Sequence, residues 1–144
     1  MTLAIRDVPH DPRSAAAVRR ELSRELGARR VSAELTDDVE ILVSELVGNA
    51  VRHANPLPGG VLRIAWELVG SADSHEVTVR VTDGGAINSA EFPHEVDTPL
   101  DAETGRGLRI VATLAADWGV ESEHPGQSVW AVLRQKRVPL EAAS

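Results

Sequence analysis

The sequence predicts an α+β fold: a two-layer sandwich of one mixed, mostly antiparallel sheet covered on one face by helices. Three observations lead there. Over about 36–54 the apolar residues Val39, Leu42, Val43, Leu46, Val47 and Ala50 recur with a helical period and form one core-facing stripe. After Asn55-Pro56-Leu57-Pro58-Gly59-Gly60 the period changes to two. There Leu62, Ile64, Trp66 and Leu68 share one face of a strand, and Val77, Val79 and Val81 share one face of the next. Finally, helices and hairpin-linked strands are grouped rather than alternating, in the order β, α, α, β, β, lid, α, β, β.

Each element has its own signal. Leu3, Ile5 and Val8 alternate in 2–8, which reads as a short edge strand. Pro9-His10-Asp11-Pro12 is a turn, followed by a helix over about 13–26 with Ala17, Val18, Leu22 and Leu26 inward and Gly27 as its stop. Thr36-Asp37-Asp38 offers cap and dipole chemistry at the start of the long helix. Strands follow over 61–69 and 75–82, joined by a hairpin loop at 70–74. The acidic stretch 83–104 has no sustained period and holds Gly84, Gly85, Pro93 and Pro99, as functional lids do. A helix over 105–115 and closing strands over 118–121 and 128–134 complete a single domain of residues 1–138, with 139–144 a frayed tail.

Composition excludes several functions. The 144 residues carry 15 basic and 22 acidic side chains, a net charge of −7, which argues against direct nucleic-acid contact or a membrane surface. No signal peptide opens the chain and no apolar run is long enough to span a bilayer, so a cytoplasmic protein is expected. The absence of cysteine removes disulfides, thiolate metal sites and cysteine nucleophiles together.

Three polar features could carry chemistry. Asp38, Glu45, Asn49 and Arg52 line one border of the long helix, with Glu45 and Asn49 one turn apart nearest the core. A carboxylate beside an amide oxygen can hold hydrated Mg²⁺ or polarise a hydroxyl, although such flanks are often merely solvated. In Val81-Thr82-Asp83-Gly84-Gly85 a strand ends in an acid that, desolvated, accepts from an exocyclic amine such as that of adenine. The glycines would let the backbone approach the ring, whereas the ordinary alternative is a plain Asp-Gly turn. In Gly105-Arg106-Gly107-Leu108 two glycines open a helix whose N-terminus suits phosphate, but G-x-G alone is weak and lacks the rest of a P-loop or dinucleotide fingerprint.

Their order and spacing are more specific than any one of them. The chain resembles the Bergerat (GHKL, histidine-kinase-like) ATP-binding fold, and within it the stand-alone anti-sigma-factor serine/threonine kinases of the actinobacterial type. The resemblance rests on Val43-Ser44-Glu45-Leu46-Val47-Gly48-Asn49-Ala50-Val51-Arg52-His53-Ala54, Gly105-Arg106-Gly107-Leu108 and Gly126-Gln127-Ser128-Val129-Trp130, and runs from about residue 13 to 133. It implies that Asn49 coordinates Mg²⁺ on the phosphates of ATP (or ADP), and that Glu45 is the general base for an incoming serine or threonine hydroxyl. It further implies that Asp83 reads the adenine amine, that Gly85 permits close approach, and that Gly105, Arg106, Gly107 and Leu108 close over the phosphates. Ser128 keeps the hydroxyl that assists adenine recognition, while Gln127 replaces the usual Lys. Glu103 stands where spore-forming members place an Arg.

The resemblance thus implies a protein serine/threonine kinase acting on an anti-anti-sigma partner and binding a sigma factor, as a homodimer formed through the N-terminal strand and first helix. Two alternatives stand beside it. One is a nucleotide-responsive protein-binding switch without catalysis. The other is a degenerate scaffold that binds no nucleotide, against which Asn49, Asp83 and the paired glycines argue.

Overall fold

A computed structural model describes residues 2–71, 73–86, 109–122 and 126–135. Its elements are β1 (Thr2–Pro9), α1 (Arg13–Ala28), α2 (Ala33–His53), β2 (Val61–Val69), β3 (Glu76–Asp83), β4 (Asp117–Ser122) and β5 (Gln127–Arg134). Residues 109–114 form a further helical segment ahead of β4. The lid beyond residue 86, the tail 139–144, and Gly105, Arg106, Gly107 and Leu108 lie outside the described residues.

The five strands lie in the order β1-β2-β3-β5-β4, and each described pairing is antiparallel, simpler than the mixed sheet expected. The period-two pattern decides which face meets the helices. Leu62, Ile64, Trp66 and Leu68 of β2, Val77, Val79 and Val81 of β3, and Ala131 and Leu133 of β5 are all buried in one core with α1 and α2. Trp66 Nε1 donates to Glu25 Oε2 of α1 at 2.9 Å, tying that face to the helical layer. α2 packs on α1 and lies across β3 and β5. Its buried residues include the whole predicted stripe from Val39 to Ala50. Among the described residues no helix is long and apolar enough to cross a membrane.

Two helix ends differ from the sequence reading. α2 begins one turn earlier than Thr36, because Ser32 caps it: the Ser32 Oγ accepts the Leu35 amide at 3.2 Å. Apolar Leu35 is buried, so the core stripe extends back to it. α1 runs through Gly27 to Ala28 and stops instead at Arg30, the one described non-glycine residue with positive φ, at 61°. The Arg30 amide donates to the Gly27 carbonyl and the Val31 amide to the Leu26 carbonyl, the paired bonds that close a helix through a left-handed residue. A glycine suits that backbone better than arginine. Arg30→Gly is therefore expected to stabilise the fold by about 1 kcal/mol, read as a higher urea midpoint with an unchanged slope.

Candidate functional site

The C-terminus of α2 and the end of β3 are stitched together by main chain. The Asn55 amide donates to the Gly85 carbonyl at 2.8 Å, the Gly84 amide to the Asn55 carbonyl at 2.7 Å, and Ala54 bridges Ala86. Glycine is required at both positions of this turn. A side chain on Gly84 would run into the carbonyl of Pro56, and Gly85 has a φ of 99°.

Asp83 sits beneath this seam. By strand alternation it follows Val77, Val79 and Val81 onto the helix-facing side of the sheet, and it is only 5% exposed. Its Oδ1 accepts the Gly85 amide at 2.7 Å, and no other protein group among the described residues bonds the carboxylate. Burial pushes its pKa up to about 6, against the opposing pull of the Gly85 amide and of the charge on His10. A desolvated carboxylate with an unused oxygen is an acceptor for a ligand's amine.

Asn49 lies about 8 Å of helix rise before Ala54, on the border of the buried stripe. Glu45 lies one turn further back, and both are half-buried. Asn49 Oδ1 accepts from Arg52 Nη2 at 2.9 Å. Glu45 has no hydrogen-bond or ion-pair partner among the described residues. Ile41, one turn before Glu45, forms a groove of about 330 Å³ with Arg109, Ile110, Thr113 and Leu114. The helical segment that follows the Gly105-x-Gly107 sequence thus lies along the border of α2 that carries Glu45.

Ser128 is placed elsewhere than the sequence reading expected. It pairs with Thr82, and its Oγ lies 2.7 Å from Thr82 Oγ1, fully buried and on the sheet face away from Asp83. The residue paired with Asp83, and sharing its face, is Gln127. A shift of one residue along a strand exchanges the two faces, so the hydroxyl at 128 does not share the face of the sheet that carries Asp83. The sequence left this open, since Val129, Trp130, Ala131, Val132 and Leu133 are all apolar and fix no parity for β5.

His10, which the sequence marks only as part of a turn, also reaches this site. Its Nε2 lies 2.8 Å from the Ala54 carbonyl and 3.2 Å from that of Ala50. Among the described residues no cluster of three or more His, Cys, Asp or Glu is arranged to hold a metal. A divalent ion here would take most ligands from phosphate and water, with the Asn49 amide oxygen as a protein ligand once Arg52 releases it.

Residues 8–133 match the histidine kinase-like ATPase domain family. The chain belongs to that family. This ATPase-domain chain is 30% identical over 107 residues to a protein named Anti-sigma F factor from Clostridium acetobutylicum, covering 72% of this chain and 71% of that one. Its fold is similar to the crystal structure of the RsbU and RsbW domains of Rv1364c from Mycobacterium tuberculosis, with a TM-score of 0.70 and 18% identity. That likeness covers 96% of this chain, which spans about a third (34%) of the larger one.

Proposed function

We propose that this histidine kinase-like ATPase domain is an ATP-binding regulator of the anti-sigma type that transfers the γ-phosphoryl group to a serine or threonine of a small anti-anti-sigma partner. The observation that carries the reading is the placement of Asn49 and Asp83 at one end of the α2–sheet interface, joined through the Asn55–Gly85 seam. The likeness to an anti-sigma factor over most of both chains supports the choice of partners, a sigma factor and its anti-anti-sigma antagonist. The exposed Leu3 and Ile5 of the edge strand β1 suit a homodimer formed along β1 and α1.

In this reading Asp83 and the Gly85 turn hold the purine, and Asn49 holds the phosphate end. Mg²⁺, when bound, neutralises charge on the transferring phosphates. The unpartnered Glu45 carboxylate takes the proton of the incoming hydroxyl as its oxygen bonds to phosphorus and the bond to ADP breaks. The resemblance assigns the phosphate contacts to Gly105, Arg106, Gly107 and Leu108, which lie outside the described residues.

A second reading rests on two observations. Arg52 occupies the Asn49 oxygen, and Glu103 is an acid where related kinases place a base. Both favour a switch that responds to nucleotide without transferring phosphate. Incubation with radiolabelled ATP, Mg²⁺ and candidate antagonists decides between them. Label appearing on a partner serine or threonine supports the kinase. ATP and ADP giving different partner affinities without label supports the switch. No binding of Mg·ATP at millimolar concentration removes both.

The placement of Gln127 gives a sharper test of the purine end. Gln127→Ala is expected to weaken ATP about tenfold in a calorimetric titration, the loss of one hydrogen-bonding side chain at the base edge. Ser128→Ala should leave ATP affinity unchanged and cost about 1–2 kcal/mol of stability, because it orphans the buried Thr82 hydroxyl. The reverse pattern would return the purine to Ser128.

A further inference from the structure

We propose that His10 is a positioning residue of the nucleotide site: its ring ties the last turn of α2 down over the mouth of β3, where Asp83 accepts the purine amine. This rests on the nucleotide reading above and adds to it a residue from the β1–α1 turn. Carbonyl oxygens only accept, so Nε2, at 2.8 Å from the Ala54 carbonyl and 3.2 Å from the Ala50 carbonyl, carries a proton. Ala54 is the C-cap of α2 and Ala50 lies one turn before it, so the Nε2–H group of His10 serves carbonyls at the negative end of the helix.

The ring is itself fixed from behind. The His10 amide donates to the Gly60 carbonyl at 3.0 Å, and the Ser14 Oγ of α1 donates to the Pro9 carbonyl at 2.6 Å. From Ala54 the contact passes directly to the Asn55–Gly85 seam and the Gly85–Asp83 bond. His10 therefore holds Asn49 at a fixed separation from Asp83, and a bound nucleotide must reach both, its purine at one and its phosphates at the other.

The charge of His10 acts on Asp83 and opposes the effect of burial. On α2 the neighbouring ionisable groups are Arg52, bonded to Asn49, and His53. Beyond the turn Asp11 is paired with Arg13, and β5 presents the uncharged Gln127 opposite Asp83.

The test uses Mg·ATP titrated into the full chain from pH 5 to 8, with wild type, His10→Ala and His10→Gln. Glutamine places an amide N–H near the position of Nε2 but cannot titrate. Wild-type affinity should fall on acidification around pH 6, as Asp83 takes up a proton and ceases to accept. His10→Ala should bind roughly tenfold more weakly at pH 8, and His10→Gln within about twofold of wild type. In His10→Gln the acid limb should move to higher pH, because the charge that favours the carboxylate is gone. A role in folding alone would not move that limb. An unmoved limb in His10→Gln, or wild-type affinity in His10→Ala, overturns the role of His10. If His10→Ala does not fold, the His10→Gln limb alone decides. Wild-type protein that binds no Mg·ATP overturns the nucleotide reading instead.

Discussion

Asp83→Asn is expected to weaken ATP binding by about 100-fold or more while making the free protein more stable at pH 8. The substitution keeps an oxygen for the Gly85 amide but turns the other position into an N–H donor, which meets the donor amine of adenine head on. The stability gain follows from the raised pKa. In the folded protein Asp83 holds its proton up to about pH 6, whereas its ordinary value is 3.8. Between those limits the folded state binds more protons than the unfolded one, so stability falls as pH rises through the window and stays lower above it. Asparagine carries no such penalty. The variant should exceed wild type by about 1–3 kcal/mol at pH 8, and the two should converge below pH 4. Thermal melts at the two pH values, set beside calorimetric titrations with ATP, check both halves. An Asp83→Asn protein that binds ATP like wild type would remove Asp83 from the site.

Glu45→Gln is expected to slow phosphoryl transfer to the partner by about 10²–10⁴-fold while changing the Kd of Mg·ATP by less than about threefold. Glutamine matches the shape of the carboxylate but cannot take the hydroxyl proton. Because Glu45 has no hydrogen-bond or ion-pair partner among the described residues, its neutralisation breaks no internal contact, and the melting temperature should hold. Asn49→Ala, by contrast, should lower both binding and transfer, since in the proposed reading Asn49 holds the metal–phosphate end. Single-turnover transfer and equilibrium binding separate the two. Equal loss of binding in both variants would mean that Glu45 holds nucleotide rather than moving a proton.

These effects follow from features of unequal visibility in the sequence. The buried face of α2 was plain because the helical period ran unbroken from Val39 to Ala50, and β2 matched its predicted span because Gly60 and Gly70 bound a clean alternation. Helix ends were less visible. Thr36-Asp37-Asp38 has capping chemistry, yet Ser32 caps α2, because burying Leu35 extends the helix past the first local signal. Gly27 has stop chemistry, yet Arg30 takes the left-handed position, and burial of Leu26 and Val31 holds the chain there.

At the site, local chemistry named Glu45, Asn49 and Asp83 because carboxylates and amides on a stripe border or at a strand end are visible as patterns. Gln127 and Ser128 are neighbours, and each has polar chemistry to offer. Only the pairing of β3 with β5 shows that Gln127 shares a face with Asp83 and that Ser128 turns away to Thr82. His10 carries no sequence signal for this role, since its partners are main-chain carbonyls 40 and 44 positions away in the helix end it serves.

The sequence by itself determined the element types, the buried stripe and the three polar positions, because each depends on side-chain periodicity or chemistry within a few residues. Tertiary structure alone decided which strand face each β5 residue occupies, where the helices end, and that a turn histidine closes the α2 terminus. Those outcomes depend on hydrogen bonds and burial between segments far apart in the chain, to which local periodicity is blind.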